Sequence, residues 1–167
     1  MIEIKKLPMM KILTILIVII LSIKLNAQDK PSYPQPKEGF KRVDLLLPKI
    51  KNPKDYQVQV KFSFEAAARE CSDASFSFNR KNVKEEYGIQ QGSRYPYYVI
   101  ESGGAEFFEG MNSDCKSNKK IKRKIMSSQD IVIEYQSYHA TPFYIPKSWS
   151  VEYRIWKADD KYTTVKN

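Results

Sequence analysis

The sequence has few of the residues that usually carry catalytic chemistry or bind metal ions. It contains one histidine, His139, within the segment S-Y-H-A-T-P. A Ser–His–acid or Cys–His site would have to use that residue, and no nucleophile motif lies beside it. The two cysteines, Cys71 and Cys115, form no recognisable zinc-ligand spacing with it. A P-loop and a dinucleotide-binding glycine pattern are also missing. These absences favour a binding protein over an enzyme, with no cofactor and no metal.

The longest apolar run lies at the N-terminus and predicts a segment that is removed on export. Lysines precede an almost uninterrupted apolar stretch from Ile12 to Ile23, and Ala27 offers a small residue for cleavage. This pattern is typical of a secretory signal peptide over residues 1–27 rather than of a membrane span. Its removal takes away four lysines and one glutamate, so the formal charge of +9 falls by three. We therefore expect a basic, exported, single domain over residues 28–167 that has no membrane contact after cleavage.

Both cysteines lie in the exported part. Two cysteines in an oxidising compartment most simply form one disulfide, and two free thiols are the alternative. A Cys71–Cys115 bridge would close a loop of about 44 residues, worth roughly 4 kcal/mol in the chain-entropy model.

Alternating hydrophobic residues predict an all-β fold. From Tyr56 to Glu65 every second residue is aromatic or β-branched, which predicts a half-buried strand. Many short strands with turn residues between them indicate a single-domain antiparallel sandwich or barrel. The other predicted strands are Val43–Leu47, Tyr95–Ile100, Lys119–Met126 (whose spacing also suits a helix), Ile131–Tyr135, Phe143–Ile145 and Trp149–Trp156.

Three segments lack a strand pattern. We expect a single helical turn at Ala66–Glu70, irregular structure over Asn79–Gly92 and a loop over Gly103–Cys115.

The last predicted strand has an anomaly. In S-W-S-V-E-Y-R-I-W-K, Ser148–Lys157, the apolar residues alternate with polar ones until Trp156, which falls on the polar face. A large aromatic residue there indicates either a partner surface or a second layer of the same chain.

Two motifs resemble a known family. The segment V-E-Y-R-I-W-K-A-D-D-K, Val151–Lys161, resembles the C-terminal signature of ecotin, a family of periplasmic serine protease inhibitors, and Y-P-Q-P-K-E-G-F-K-R, Tyr33–Arg42, resembles its N-terminal motif. The resemblance implies an ecotin-like fold and inhibition of trypsin-, chymotrypsin- and elastase-type endopeptidases through a substrate-like loop. It further implies a periplasmic homodimer that exchanges C-terminal strands and holds two proteases, with Trp156 at the dimer interface.

The segment from Glu101 to Cys115, E-S-G-G-A-E-F-F-E-G-M-N-S-D-C, combines glycines with Phe107, Phe108 and Met111. Solvated loops rarely expose so many apolar groups, so the segment is either a protease-binding loop or a hairpin with inward phenylalanines. The resemblance implies a reactive loop braced by the cysteines and made of Gly110, Met111, Asn112, Ser113 and Asp114. Counting back from Cys115, as in the family pattern, places the reactive bond at Asn112–Ser113, whereas the methionine lies one residue earlier. Either Met111, which we favour, or Asn112 is therefore the residue that enters the S1 pocket.

The resemblance also implies a secondary protease contact made by two distant loops. The matching residues are Arg94, Tyr95, Tyr135, Gln136 and Ser137. The family's Trp-Gly pair is replaced here by Ser93-Arg94, and the flanking basic residues by Glu134 and Tyr138, so this contact is expected to differ.

A run of six basic residues lies between Lys116 and Lys124. It is typical either of the solvated face of a strand or of a site for anionic polymers, and we favour the first and expect no nucleic-acid partner. The alternative function for the whole chain is a periplasmic β-sandwich module for ligand binding or adhesion.

Overall fold

The structure is a computed structural model, which describes residues 31–90, 93–101, 105–110, 114, 116–159 and 161–165. The predicted signal peptide lies outside these residues. Within them, no helix is long and apolar enough to cross a membrane. The described residues form ten strands and two short 3-10 helices, Pro53–Asp55 and Arg80–Asn82. The strands are β1 (Phe40–Leu45), β2 (Tyr56–Arg69), β3 (Asp73–Ser77), β4 (Val83–Gln90), β5 (Ser93–Ile100), β6 (Glu106–Gly110), β7 (Lys120–Ser127), β8 (Ile131–Glu134), β9 (Thr141–Pro146) and β10 (Ser150–Lys157).

The strands form two sheets, which confirms the all-β prediction. One sheet has the order β1-β9-β5-β4, and the other has the order β10-β2-β7-β3-β6, with β8 also paired to β2. Most pairs are antiparallel, but β3 pairs with β7 and β5 with β9 in parallel, so both sheets are mixed. The antiparallel prediction is wrong for these two pairs. Parallel neighbours need long crossover connections, and no local turn signal in a sequence reveals them.

One core joins the two sheets, which confirms a single domain. Val58, Val60 and Phe62 of β2 are fully buried, because alternate residues of a strand point to the same face. The Phe62 ring lies 6.4 Å from that of Phe143 in the other sheet and 5.9 Å from that of Trp149, between centroids. Aromatic packing of this kind stabilises beyond the area that it buries.

The three segments that lack a strand pattern nevertheless contain strands. The Ala66–Glu70 helical-turn prediction is wrong, because β2 continues to Arg69 by pairing with β7. The irregular structure predicted over Asn79–Gly92 is wrong where β4 forms; β4 is a polar edge strand, and such strands do not show the usual alternation. The predicted loop Gly103–Cys115 contains β6, which is discussed below.

Candidate functional site

The predicted reactive loop begins where β6 ends. Gly110 is the last residue of β6 and is exposed, and Asp114 is exposed as well. Met111, Asn112, Ser113 and Cys115 lie outside the described residues. Of the predicted loop, the structure therefore describes only its first and last residues, Gly110 and Asp114.

The chain before the loop and the chain after it both lie against one turn, formed by Arg69–Asp73 where β2 ends and β3 begins. On the N-terminal side, Gly110 pairs with Asp73 in the β3–β6 ladder. On the C-terminal side, the backbone N–H of Glu70 donates to the carbonyl oxygen of Lys119 at 3.0 Å. We call this segment, Arg69–Asp73, the support turn. It fixes the distance that the loop must span.

A carboxylate ties β6 to the support turn. One oxygen of Glu109 accepts a hydrogen bond from the backbone N–H of Arg69 at 2.5 Å and another from the Ser72 hydroxyl at 3.0 Å. These bonds, that from Arg69 first, hold the pKa of the Glu109 carboxyl below its ordinary value, because they stabilise its charged form. The residue next to Gly110 is thus fixed by charge-assisted hydrogen bonds.

An arginine holds the support turn from the other side. One guanidinium nitrogen of Arg123, on β7, donates to three carbonyl oxygens: Arg69 at 3.2 Å, Glu70 at 3.4 Å and Ser72 at 2.9 Å. The Arg69 carbonyl also accepts from the Ser72 backbone N–H at 3.2 Å, and the guanidinium supplies donors to the carbonyls of Glu70 and Ser72 as well. Glu109, Ser72 and Arg123 had not been identified from the sequence. They are far apart in the chain, and Arg123 looked like one member of a basic run.

The disulfide remains a prediction. Cys71 lies in the support turn with its sulfur 3.9 Å from the carbonyl oxygen of Ser117, two residues past Cys115. The partner cysteine itself lies outside the described residues.

Both phenylalanines of β6 are partly exposed, although only Phe108 lies on the outer face of the sheet. Phe107 is 43% exposed and Phe108 is 49% exposed. They differ in orientation. Phe107 pairs with the buried Phe76 and Phe108 with Ser75, so they lie on opposite faces of the sheet.

The two segments predicted to form a secondary contact meet in space. The ring of Tyr95, on β5, contacts the ring of His139 edge-on at 4.6 Å between centroids. The exposed Arg94 places its guanidinium 4.1 Å from the centre of the Tyr87 ring on β4. This brings the start of β5 together with the loop that follows β8.

The residues predicted in that loop have different environments. The side chain of Tyr135 is buried, and its hydroxyl donates to the carbonyl oxygen of Pro48 at 2.5 Å. Gln136 donates to the Thr141 hydroxyl at 2.7 Å, and it and Ser137 are half-buried. Tyr138 is more exposed than either, so it offers more side-chain surface to a partner.

The basic run is largely paired within the protein. Lys122 contacts Glu65 at 2.5 Å and Lys124 contacts Glu152 at 2.6 Å, so β7 is linked to β2 and β10. Lys119 contacts Glu70 at 3.8 Å. Neighbouring acids thus offset the charge of three of the six basic residues, which favours the solvated-face interpretation.

Trp156 lies on the outer face of β10 and is 51% exposed. The guanidinium of Arg154 lies 4.5 Å from its ring, and its indole N–H donates to Gln59 at 3.1 Å. On the opposite face of β10, Tyr153 and Ile155 are also exposed. Since β10 is an edge strand, it carries apolar surface on both faces next to an edge with which no other described strand pairs.

Comparison with known proteins agrees with the motifs in the sequence. A family model described as ecotin matches residues 29–158. A putative ecotin-like protein of Methylobacillus flagellatus is 25% identical over 138 residues, covering 82% of this chain and 81% of its own. An ecotin of Pseudomonas fluorescens is 27% identical over 135 residues, which is 80% of each chain. The chain belongs to the ecotin family, and membership of that family implies a protease inhibitor.

Proposed function

We propose that this protein inhibits serine endopeptidases of the trypsin, chymotrypsin and elastase types by presenting Gly110–Asp114 as a substrate-like loop. Either Met111 or Asn112 enters the S1 pocket of the enzyme. The observation that supports the proposal is the support turn, against which the strand before this loop and the chain after it, at Lys119, are held by hydrogen bonds. Flanking segments that are already held in place reduce the conformational entropy that is lost on binding.

The two placements differ in the enzymes that they suit. Methionine is long, flexible and apolar, so Met111 would fit S1 pockets of several shapes. Asn112 is short and polar, and it would narrow the range of target enzymes. We favour Met111.

Several further features belong to the proposal. Residues 1–27 act as a signal peptide, and residues 28–167 form an inhibitor domain that resides in the periplasm. A Cys71–Cys115 disulfide braces the loop next to the support turn. A homodimer forms through β10 with Trp156 in the interface, and the exposed apolar residues of that edge strand support this. Around the Tyr95–His139 contact, Arg94, Gln136 and Ser137 make a secondary protease contact, to which the buried Tyr135 contributes through its backbone.

A titration tests the inhibitory function. The exported chain is mixed with trypsin, chymotrypsin and elastase of known active-site concentration. We expect stoichiometric inhibition of at least one enzyme, and slow cleavage of the inhibitor after Met111 or after Asn112. Met111→Ala and Asn112→Ala serve as controls for each other. Only the variant that changes the residue in the S1 pocket should bind the enzyme more weakly. No inhibition of any enzyme would contradict the function, and a cut outside Gly110–Asp114 would contradict both placements.

A further inference from the structure

The sheet β1-β9-β5-β4 has a groove on its outer face. Tyr97 of β5 and Tyr144 of β9 point away from the core, because their neighbours along each strand, Tyr98 and Phe143, point into it. The two outer rings meet edge-on at 5.4 Å between centroids. They form the floor of a groove of about 690 Å³. That volume is within the range of protein sites for small molecules.

The chain that precedes β1 forms one wall of the groove, and we call residues 33–37 the strap. The Tyr144 hydroxyl donates to the carbonyl oxygen of Pro34 at 2.6 Å. Gly88 of β4 allows the strap to lie close, because a Cβ atom there would be 2.7 Å from the ring of Tyr33. The wall is therefore held in place before a ligand binds, which lowers the entropic cost of binding.

The charged side chains around the groove balance one another. Four of them line it: Lys37, Lys84, Glu86 and Glu101. The ammonium of Lys84 lies 3.0 Å from the carboxylate of Glu101, which places a hydrogen-bond donor beside an acceptor at the rim. A ligand with a net charge of either sign would meet two like charges here. The groove is therefore suited to a neutral ligand that has an apolar face and polar groups able both to donate and to accept.

We infer that this groove is a binding site for a neutral saccharide. The C–H groups of a sugar ring lie against Tyr97, because the face of an aromatic ring carries partial negative charge. The sugar hydroxyls donate to Glu101 and accept from Lys84, since a hydroxyl can do both. The inference goes beyond the proposed inhibitory function and does not depend on it, because β6 and the proposed reactive loop belong to the other sheet.

An extended peptide fits the groove less well. β5 pairs with β9 on one side and with β4 on the other, so the floor offers no open strand edge to which a peptide could pair. A proline-rich segment would dock on the aromatic rings instead, but the strap, with its own prolines, already lies there. The space beside the strap is bounded by side chains, which suits a ligand recognised through its hydroxyl groups.

A titration followed by NMR tests the site. Maltotriose, cellotriose and tri-N-acetylchitotriose are each added to the isotope-labelled exported chain. At least one should bind with a Kd of about 1 mM or tighter and shift the amide signals of β4, β5 and the strap.

Variants of the floor and the rim locate the binding. Tyr97→Ala should abolish it, whereas Tyr97→Phe should keep most of it because the ring remains. Lys84→Ala and Glu101→Ala should each weaken it about fivefold, through the loss of one hydrogen bond. The control is Lys122→Ala, which removes an exposed ion pair from the other sheet and should leave the Kd unchanged. Lys84 is exposed, so its variant tests the site even where Tyr97→Ala does not fold.

Three outcomes would overturn the inference. The first is that none of the trisaccharides shifts these signals. The second is that one binds, but the Lys84→Ala and Glu101→Ala variants bind it as tightly as the parent, which would place the sugar elsewhere. The third is that a synthetic peptide of the strap sequence, or an oligosaccharide of glucuronate, binds the groove more tightly than every neutral trisaccharide. Protease inhibition should be the same in the parent and in Lys84→Ala, so the two functions can fail separately.

Discussion

At the scale of single residues, the support turn depends on two side chains from other strands. Arg123 supplies hydrogen-bond donors to three carbonyls, and Glu109 accepts from the backbone and a hydroxyl. Neither residue is unusual in the sequence, since Arg123 lies among lysines and Glu109 lies between a phenylalanine and a glycine. Sequence reasoning could place the loop next to Cys115, but it could not find these contacts, because they join residues about 40 to 50 positions apart.

Removal of the Arg123 guanidinium should destabilise the protein. Arg123→Ala removes the guanidinium donor from the Glu70 and Ser72 carbonyls, which should lower the free energy of unfolding by about 1–3 kcal/mol. Arg123→Lys should recover part of it, because an ammonium also supplies donors but carries them on a more flexible stem. Urea denaturation measures these changes. The control is Lys122→Ala, which removes a solvent-exposed ion pair from the same strand and should destabilise the protein less than Arg123→Ala does. Equal effects of the Arg123 and Lys122 changes would contradict this role.

The carboxylate of Glu109 should make stability depend on pH in the acid range. Its pKa is lower in the folded state than in the unfolded chain, so its ionised form favours folding. This contribution is complete above the unfolded pKa and is lost as the pH falls through the folded pKa. The stability difference between the parent and Glu109→Gln should therefore shrink from pH 7 to pH 3 in thermal denaturation. The control is Glu106→Gln, on the same strand, whose melting temperature should change with pH as that of the parent does. A difference in stability between the parent and Glu109→Gln that stays constant with pH would contradict the prediction.

At the scale of elements, the sequence predicts the interior strands better than the edges. β2 is predicted correctly over Tyr56–Glu65, because one of its faces is buried and its residues alternate. Its continuation to Arg69 depends on pairing with β7, which stabilises an alanine-rich segment as a strand irrespective of local preference. β4 and β6 are edge strands with polar or mixed residues, and the sequence showed no alternation there. The edge strand missed in the predicted loop is also the strand that leads into the candidate site.

At the scale of the whole molecule, the two proposed interfaces lie at opposite edges of one sheet. β10 and β6 are the first and last strands of the order β10-β2-β7-β3-β6. Four strand spacings of about 4.8 Å separate them by roughly 19 Å. A dimer formed through β10 would therefore leave both β6 edges open, and each subunit could bind its own protease.

This arrangement makes Trp156 the residue with which to test the assembly. The ring is half-exposed on an edge strand, and Arg154 and Gln59 hold it there, so it is ordered before a partner binds. Trp156→Ala should raise the dimer dissociation constant at least tenfold in sedimentation, because aromatic anchors dominate interface energetics. The core and the support turn should be intact, so inhibition through the reactive loop should persist in the dissociated subunits.

Tyr87 provides the matched control for that measurement. It is a half-exposed aromatic residue on β4, the edge strand of the other sheet, and it lies under Arg94 much as Trp156 lies under Arg154. Tyr87→Ala should leave the dimer intact, since the proposed interface does not include β4. If the Trp156→Ala variant dimerises as tightly as the parent, the tryptophan packs only against its own sheet and is not part of the dimer interface. In that case Tyr153 and Ile155, on the other face of β10, would be the next residues to test.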